Sequence, residues 1–245
     1  VSAGRRCRAG WLGLTMAGLA ACHPPAPAAP PEPAYFVWAG VSPPPVVARA
    51  GTVYLLAGEV RRADPVRLVA LRAVPRTRGP ALWLVVRAER LDWPDTVHAQ
   101  LAQTLRRWRA AGNRVAGVQI DFDAATRGLS GYRVFLADLQ HRLPPGTGLS
   151  ITGLLDWSAG GDPAALAALA GTVDEIVVQT YQGRHTIPGH EGYLRGLPRL
   201  GLPYRVGIIR DGGWREPAFL RRDPHYRGTV EFLLAPARGA GRTGR

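Results

Sequence analysis

The chain contains no lysine; all 31 of its basic side chains are arginine. Against 18 acidic residues this leaves a formal charge of +13, a value that invites a nucleic-acid reading. The arginines are spread over many predicted elements, and no basic stripe with interleaved aromatics appears. A compositional bias and a solvated basic surface account for the charge, and no nucleic-acid partner is expected. An anionic glycan or lipid surface is the more plausible beneficiary of such a field.

Cysteine is almost as scarce. Only Cys7 and Cys22 are present, so the chain beyond residue 22 has no disulfide, no cysteine metal site and no thiol nucleophile. His98, His141, His185, His190 and His225 are dispersed without ligand spacing, so neither a metal nor another cofactor is expected. Ser130, Ser150 and Ser158 lack the G-x-S-x-G setting of a nucleophile elbow. No predicted strand leads into a glycine-rich phosphate loop.

Long apolar runs are missing too. The stretch WLGLTMAGLA is too short for a permanent membrane helix. It follows Arg5, Arg6 and Arg8 and precedes Leu19-Ala20-Ala21-Cys22, the pattern of a secretory signal over residues 1–21. The last four residues resemble a bacterial lipobox, which implies acylation of Cys22 and anchoring by several acyl chains. The Pro/Ala-rich segment 22–34 reads as an extended spacer and the Gly/Arg-rich segment 237–245 as a disordered basic tail. The expectation is an exported, monomeric protein, lipid-anchored to the bacterial cell envelope, with one folded domain over residues 35–236.

That domain holds eight short β-rich apolar runs, at 35–40, 52–59, 81–89, 114–123, 148–157, 175–181, 204–211 and 229–236. Helical spacing separates most of them. It is clearest from Asp95 to Ala111, where Val97, Leu101, Leu105 and Trp108 form one stripe between a candidate cap at Asp95 and a stop at Gly112. Residues 132–143 and 163–170 are the next best helices, the second behind a candidate cap at Asp162. Eight alternating units predict a compact (β/α)₈, TIM-barrel-like α/β fold, with an open doubly wound sheet as the alternative. Two links are irregular: 42–50 is short and Pro-rich, and 66–74 reads as helix or as an extra strand.

In such a barrel the chemistry sits where the strands end. The run ends supply Trp38; Glu59; Arg87, Glu89 and Trp93; Gln119, Asp121 and Asp123; Asp156 and Trp157; Gln179, Tyr181 and Gln182; Asp211 and Trp214. Aromatic rings that stack on sugar C–H faces, with carboxylates and amides for the hydroxyls, suit a saccharide. In VAGVQIDFD the residues 119, 121 and 123 point one way, because a strand has period two. Two carboxylates so close predict a raised pKa for one of them, the pairing that glycoside cleavage uses. A helix cap or an arginine-paired loop anchor would also place aspartate there.

The segment from Val115 to Asp123 resembles the fourth-strand motif D-G-x-D-x-D-x-E of family 18 chitinase-like glycosidases, and Gln179 to Gln182 is similar to that family's M-x-Y-D. The longer pattern of GVQIDFDA, LSITGLLDW and VDEIVVQTYQGR resembles an uncharacterised bacterial family of secreted glycosidase-like barrels, a DUF3142-like domain of unknown function, over roughly residues 35–214. The family 18 likeness implies Asp123 as proton donor, Asp121 as the group orienting the substrate's acetamido function, and Tyr181 as its hydrogen-bond partner. Asp123 is one methylene shorter than the family's glutamate, and ångström-scale misplacement can cost about 10²-fold in rate. Gln119 and Gln182 stand where the family has aspartates. A two-carboxylate mechanism would pair Asp123 with Asp156 or Glu59 instead. Two functions follow: an envelope-anchored glycan-processing, glycoside hydrolase-like protein acting on a polysaccharide or oligosaccharide, with anionic sugars included, or a non-catalytic glycan-binding lipoprotein on a degenerate barrel.

Overall fold

The computed structural model describes residues 32–123, 128–157 and 163–234. The proposed signal, most of the spacer (Cys22 included), Asp162 and the tail lie outside them.

Eight parallel strands close on themselves. They are β1 (Ala34–Val37), β2 (Thr52–Arg61), β4 (Ala81–Ala88), β5 (Val115–Asp121), β6 (Gly148–Leu154), β7 (Glu175–Gln179), β10 (Tyr204–Ile209) and β11 (Tyr226–Leu233). Neighbours pair in the order β1-β11-β10-β7-β6-β5-β4-β2, and β1 pairs with β2 to complete the barrel. Each matches one of the eight apolar runs. The ambiguous stretch after β2 is an added strand, β3 (Asp64–Ala70), antiparallel to β2. A small hairpin, β8 (Tyr181–Gln182) with β9 (His185–Thr186), follows β7.

Helices α1 (Asp95–Ala110), α2 (Leu129–Arg142) and α3 (Pro163–Ala170) pack outside; a single-turn helix α4 (His190–Leu194) follows the hairpin. The predicted α1 stripe is the buried one: Val97, Leu101, Leu105 and Trp108. Asp95 is not the cap. Pro94 holds that position and Asp95 opens the helix, its carboxylate bound 2.7 Å from Arg142. The Pro-rich link before β2 forms a 3₁₀ turn, Pro45–Arg49, as its fixed φ allows.

Period two splits each strand between two cores. Leu84, Val86, Val118, Ile120, Leu149 and Ile151 face the helices, whereas Phe36, Tyr54, Leu56, Val85, Val177 and Phe232 fill the barrel interior. Trp83 lies stacked on Tyr54 at 6.1 Å, and glycines make room for its ring. A Cβ on Gly117 would meet Trp83 at 2.5 Å and the Gly148 carbonyl oxygen at 2.1 Å. Toward the strand starts the interior is polar. Tyr54 donates to Glu175, and Arg205 Nε donates to the other oxygen of that carboxylate at 2.9 Å. Burial, followed by the Glu175 charge, pushes the Tyr54 hydroxyl well above its usual range.

Candidate active site at the rim of the barrel

Parallel pairing sets Arg87 on β4 in register with Asp121 on β5, and residues in register point to the same face. Arg87 Nη1 donates to Asp121 Oδ2 at 3.0 Å, and its Nη2 reaches Asp123 Oδ2 at 3.4 Å. Thr152 Oγ1, one strand further round, donates to Asp121 Oδ1 at 3.0 Å. One guanidinium therefore bridges the two carboxylates that the strand pattern brings together. The arginine-paired arrangement is present, and it coexists with unequal environments. The Asp121 side chain is 2% exposed and that of Asp123 62%. Burial raises the Asp121 carboxyl above the usual carboxylate range; Arg87 and Thr152 oppose the rise, and the charge of Asp123 adds to it.

Tyr181 stands above this pair. Its hydroxyl is pushed upward by burial and then by the charges of Asp121 and Asp123, and its ring lies 5.1 Å from that of Phe232. Phe232 is stacked on Phe36 at 4.4 Å, and Trp38 tilts against both. Trp38 Nε1 is buried without a hydrogen-bond partner. Gln119 is wholly buried beneath Asp121 on the same strand face; its Nε2 donates to Ser150 Oγ at 3.0 Å, while its Oε1 is unpartnered.

Other nominated residues are more scattered. Glu59 is in register with Arg87 but pairs with Arg61. Gln179 is half-buried at the end of β7, and Gln182 is exposed in the β8–β9 hairpin. Asp156 is exposed beyond β6. Asp211, in left-handed backbone at φ 58, lines a cleft of about 510 Å³ with Gly40, Ser42, Arg184, Arg210 and Phe232. Its size falls in the range of ligand sites, and Phe232 is shared with the aromatic cluster.

Trp157 and Trp93 are corrections, and Trp214 is half-buried. Trp157 is 1% exposed and belongs to the layer between strands and helices, so it presents no face to a ligand. Trp214 packs on that same layer and lies 5.1 Å from the His190 ring. Trp93 is a core residue, edge-on to Phe135, with its Nε1 donating to the Arg90 carbonyl. Glu89 accepts from the Arg62 backbone N–H at 2.7 Å. Among the described residues no three His, Cys, Asp or Glu side chains gather as metal ligands.

Sequence reasoning missed Thr152, Ser150, Phe232 and Tyr132. The first two were visible as polar residues alternating with Leu149 and Ile151. Tyr132 lies on the buried stripe of α2 and reads as core; its hydroxyl is buried, unpartnered, and raised by burial and then by the charges of Asp121 and Asp123.

The family model of a domain of unknown function, DUF3142, matches residues 81–188, the span that carries Arg87, Asp121, Asp123 and Tyr181. No curated protein sequence matches the chain. Among solved structures, the spore cortex-lytic enzyme SleL of Bacillus cereus is similar over 73% of this chain and 50% of its own, with a TM-score of 0.52 and 17% identity. The chitinase domain of the spore coat protein CotE from Clostridium difficile is similar over 77% and 67%, at 0.51 and 13%. The xylanase-alpha-amylase inhibitor protein XAIP-I, solved with trehalose, is similar over 83% and 93%, at 0.55 and 12%. The chain thus spans half the length of SleL. The shared feature is a (β/α)₈ barrel.

Proposed function

We propose that this protein processes glycans, accepting an oligosaccharide at the barrel mouth. The observation that carries the reading is the convergence of Asp121, Asp123, Arg87 and Tyr181 where β4, β5 and β7 end. Of the two acids, solvent-facing Asp123 is the one able to touch a glycosidic oxygen as general acid or base. Asp121, nearly sealed, acts by positioning: it holds Arg87 and lends its charge beneath the substrate.

A second reading, glycan binding without turnover, draws support from the Arg87–Asp123 contact and from the short reach of aspartate. Fold cannot choose: the similar barrels include a cortex-lytic enzyme and an inhibitor protein. Glycan release by the full chain, compared with Asp123→Asn, decides. Release abolished by the substitution supports processing. Binding retained in both without release supports the second reading, and neither binding nor release on a broad glycan panel removes both.

Cys22 is proposed as the acylated anchor. Incorporation of a labelled fatty acid, lost in Cys22→Ser, is the expected outcome; equal labelling of the two would refute it.

A further inference from the structure

The end of the barrel opposite the mouth carries a concentration of unpaired arginines. Arg49 precedes β2, Arg76 and Arg78 precede β4, Arg114 precedes β5, and Arg107 and Arg109 lie in the last turn of α1. All but the half-buried Arg109 are exposed. Among the described residues none of the six forms an ion pair.

The fold holds them together. Asn113 Oδ1 accepts from the Thr77 N–H at 3.0 Å, and its Nδ2 donates to the carbonyls of Pro75 and Trp108, each at 2.8 Å. That clamp fixes the Arg76–Arg78 loop against the end of α1, leaving a cleft of about 370 Å³ between Arg76, Arg78 and Ala110–Gly112. Arg114 Nη1 donates to the Gly79 carbonyl at 3.0 Å. Gly79 in turn backs onto the Ala48 carbonyl, 3.2 Å from where its Cβ would stand, which brings Arg49 alongside. Cations offset the negative end of a helix dipole, and this accounts for Arg107 and Arg109 in part. It does not account for Arg49, Arg76, Arg78 or Arg114. Acids also lie at this end, Glu32 beside Gly51, Asp174 bound to the Leu149 N–H, Glu175 paired with Arg205, and Glu216 and Asp223 bonded to Tyr226 and Tyr204, but among the described residues none pairs with the six arginines.

We propose that this arginine face docks the protein on an anionic membrane surface, with phospholipid phosphates as the groups recognised, so that the mouth points away from the bilayer. Chain topology argues for a membrane over another polyanion. The described chain begins at this same end, where residues 32 and 33 lead into β1. Acylation at Cys22 and the basic face then act as two signals on one surface, the combination that makes anchoring firm. The face does not require the acyl chain, nor any chemistry at Asp123.

The test uses the full chain with Cys22→Ser, which removes any acyl anchor, and co-sedimentation with vesicles of phosphatidylcholine alone or mixed with phosphatidylglycerol. Binding is expected only to the anionic vesicles and is expected to weaken as salt rises. A basic residue near such a surface contributes roughly fivefold in partitioning. The variant R76E/R78E/R107E/R114E should therefore lose at least about a hundredfold. R133E, reversing an arginine that follows a strand end on the mouth side, should stay within a few fold, and D123N should bind unchanged. If the four glutamates impair folding by circular dichroism, the glutamine series at the same positions should show the same loss more weakly. Equal binding by the arginine-face and control variants overturns the proposal. So does failure to sediment with anionic vesicles, or displacement by DNA at a lower charge concentration than free vesicles require.

Discussion

Arg87 and Asp121 face one another across β4 and β5 at 3.0 Å, and the same guanidinium extends to Asp123 at 3.4 Å. A cation between two acids changes what the pair can do. In place of a proton shared by neighbouring carboxyls, the barrel has one buried acid, held by arginine and threonine, and one exposed acid. The buried member has the raised carboxyl, and the exposed member has the access.

Stability should record the first of these facts. Because burial raises the native carboxyl of Asp121, the folded chain keeps that proton at pH values where the unfolded chain, near pH 3.9, has released it. The contribution is fully present below the unfolded value and is lost as pH rises through the native one. Asp121→Asn, which preserves an acceptor for Thr152, should therefore gain urea stability relative to the parent as pH rises from about 4 to 7. A difference between the two that is constant over this interval would refute the assignment.

Packing around Trp83 sets a second expectation. Gly117→Ala places a methyl 2.1 Å from the Gly148 carbonyl oxygen and 2.5 Å from the indole, and the facing backbone cannot yield as a side-chain tip would. Overpacking of this kind costs about 1–3 kcal/mol. Denaturant midpoints should fall accordingly, and Trp83→Leu in the same chain should recover part of the loss.

The strands were legible because each is a short apolar run with its own period, and α1 because its stripe repeats every three to four residues. The bridging role of Arg87 was not. It arises from the register of β4 against β5, which belongs to neither segment alone. Trp157 was misread because it lies three residues beyond the end of β6, in backbone that has left the strand. Trp214 lies five residues beyond the end of β10, where strand parity no longer constrains direction.

Inside the barrel, Glu175 serves both Tyr54 and Arg205, with side chains of 11% and 15% exposure for the charged pair. Removing one partner leaves the other buried and uncompensated, at a cost of about 3–5 kcal/mol. Glu175→Ala should destabilise by that order. The double variant with Arg205→Ala should lose clearly less than the two single losses combined, as contacting residues do in a cycle. Simple additivity in chemical denaturation would show that the pair is not coupled.

The two tryptophans nominated together in the sequence should separate in experiment. Trp157 is enclosed between strands and helices, so Trp157→Ala creates a cavity and should cost about 3–5 kcal/mol, while glycan affinity of the folded fraction stays near that of the parent. Trp38 borders the mouth against Phe36 and Phe232, and its indole N–H has no partner within the protein. A rotation of the indole toward the mouth would bring that buried donor to a sugar hydroxyl. Trp38→Phe keeps an aromatic face and removes the N–H. It should preserve most of the stability and weaken oligosaccharide binding several-fold, by the 0.5–1.5 kcal/mol or so that a net hydrogen bond contributes. Calorimetric titration of both variants at matched folded concentration makes the comparison. Loss of affinity in Trp157→Ala with none in Trp38→Phe would move the ligand away from the aromatic mouth and with it the role assigned to Asp123.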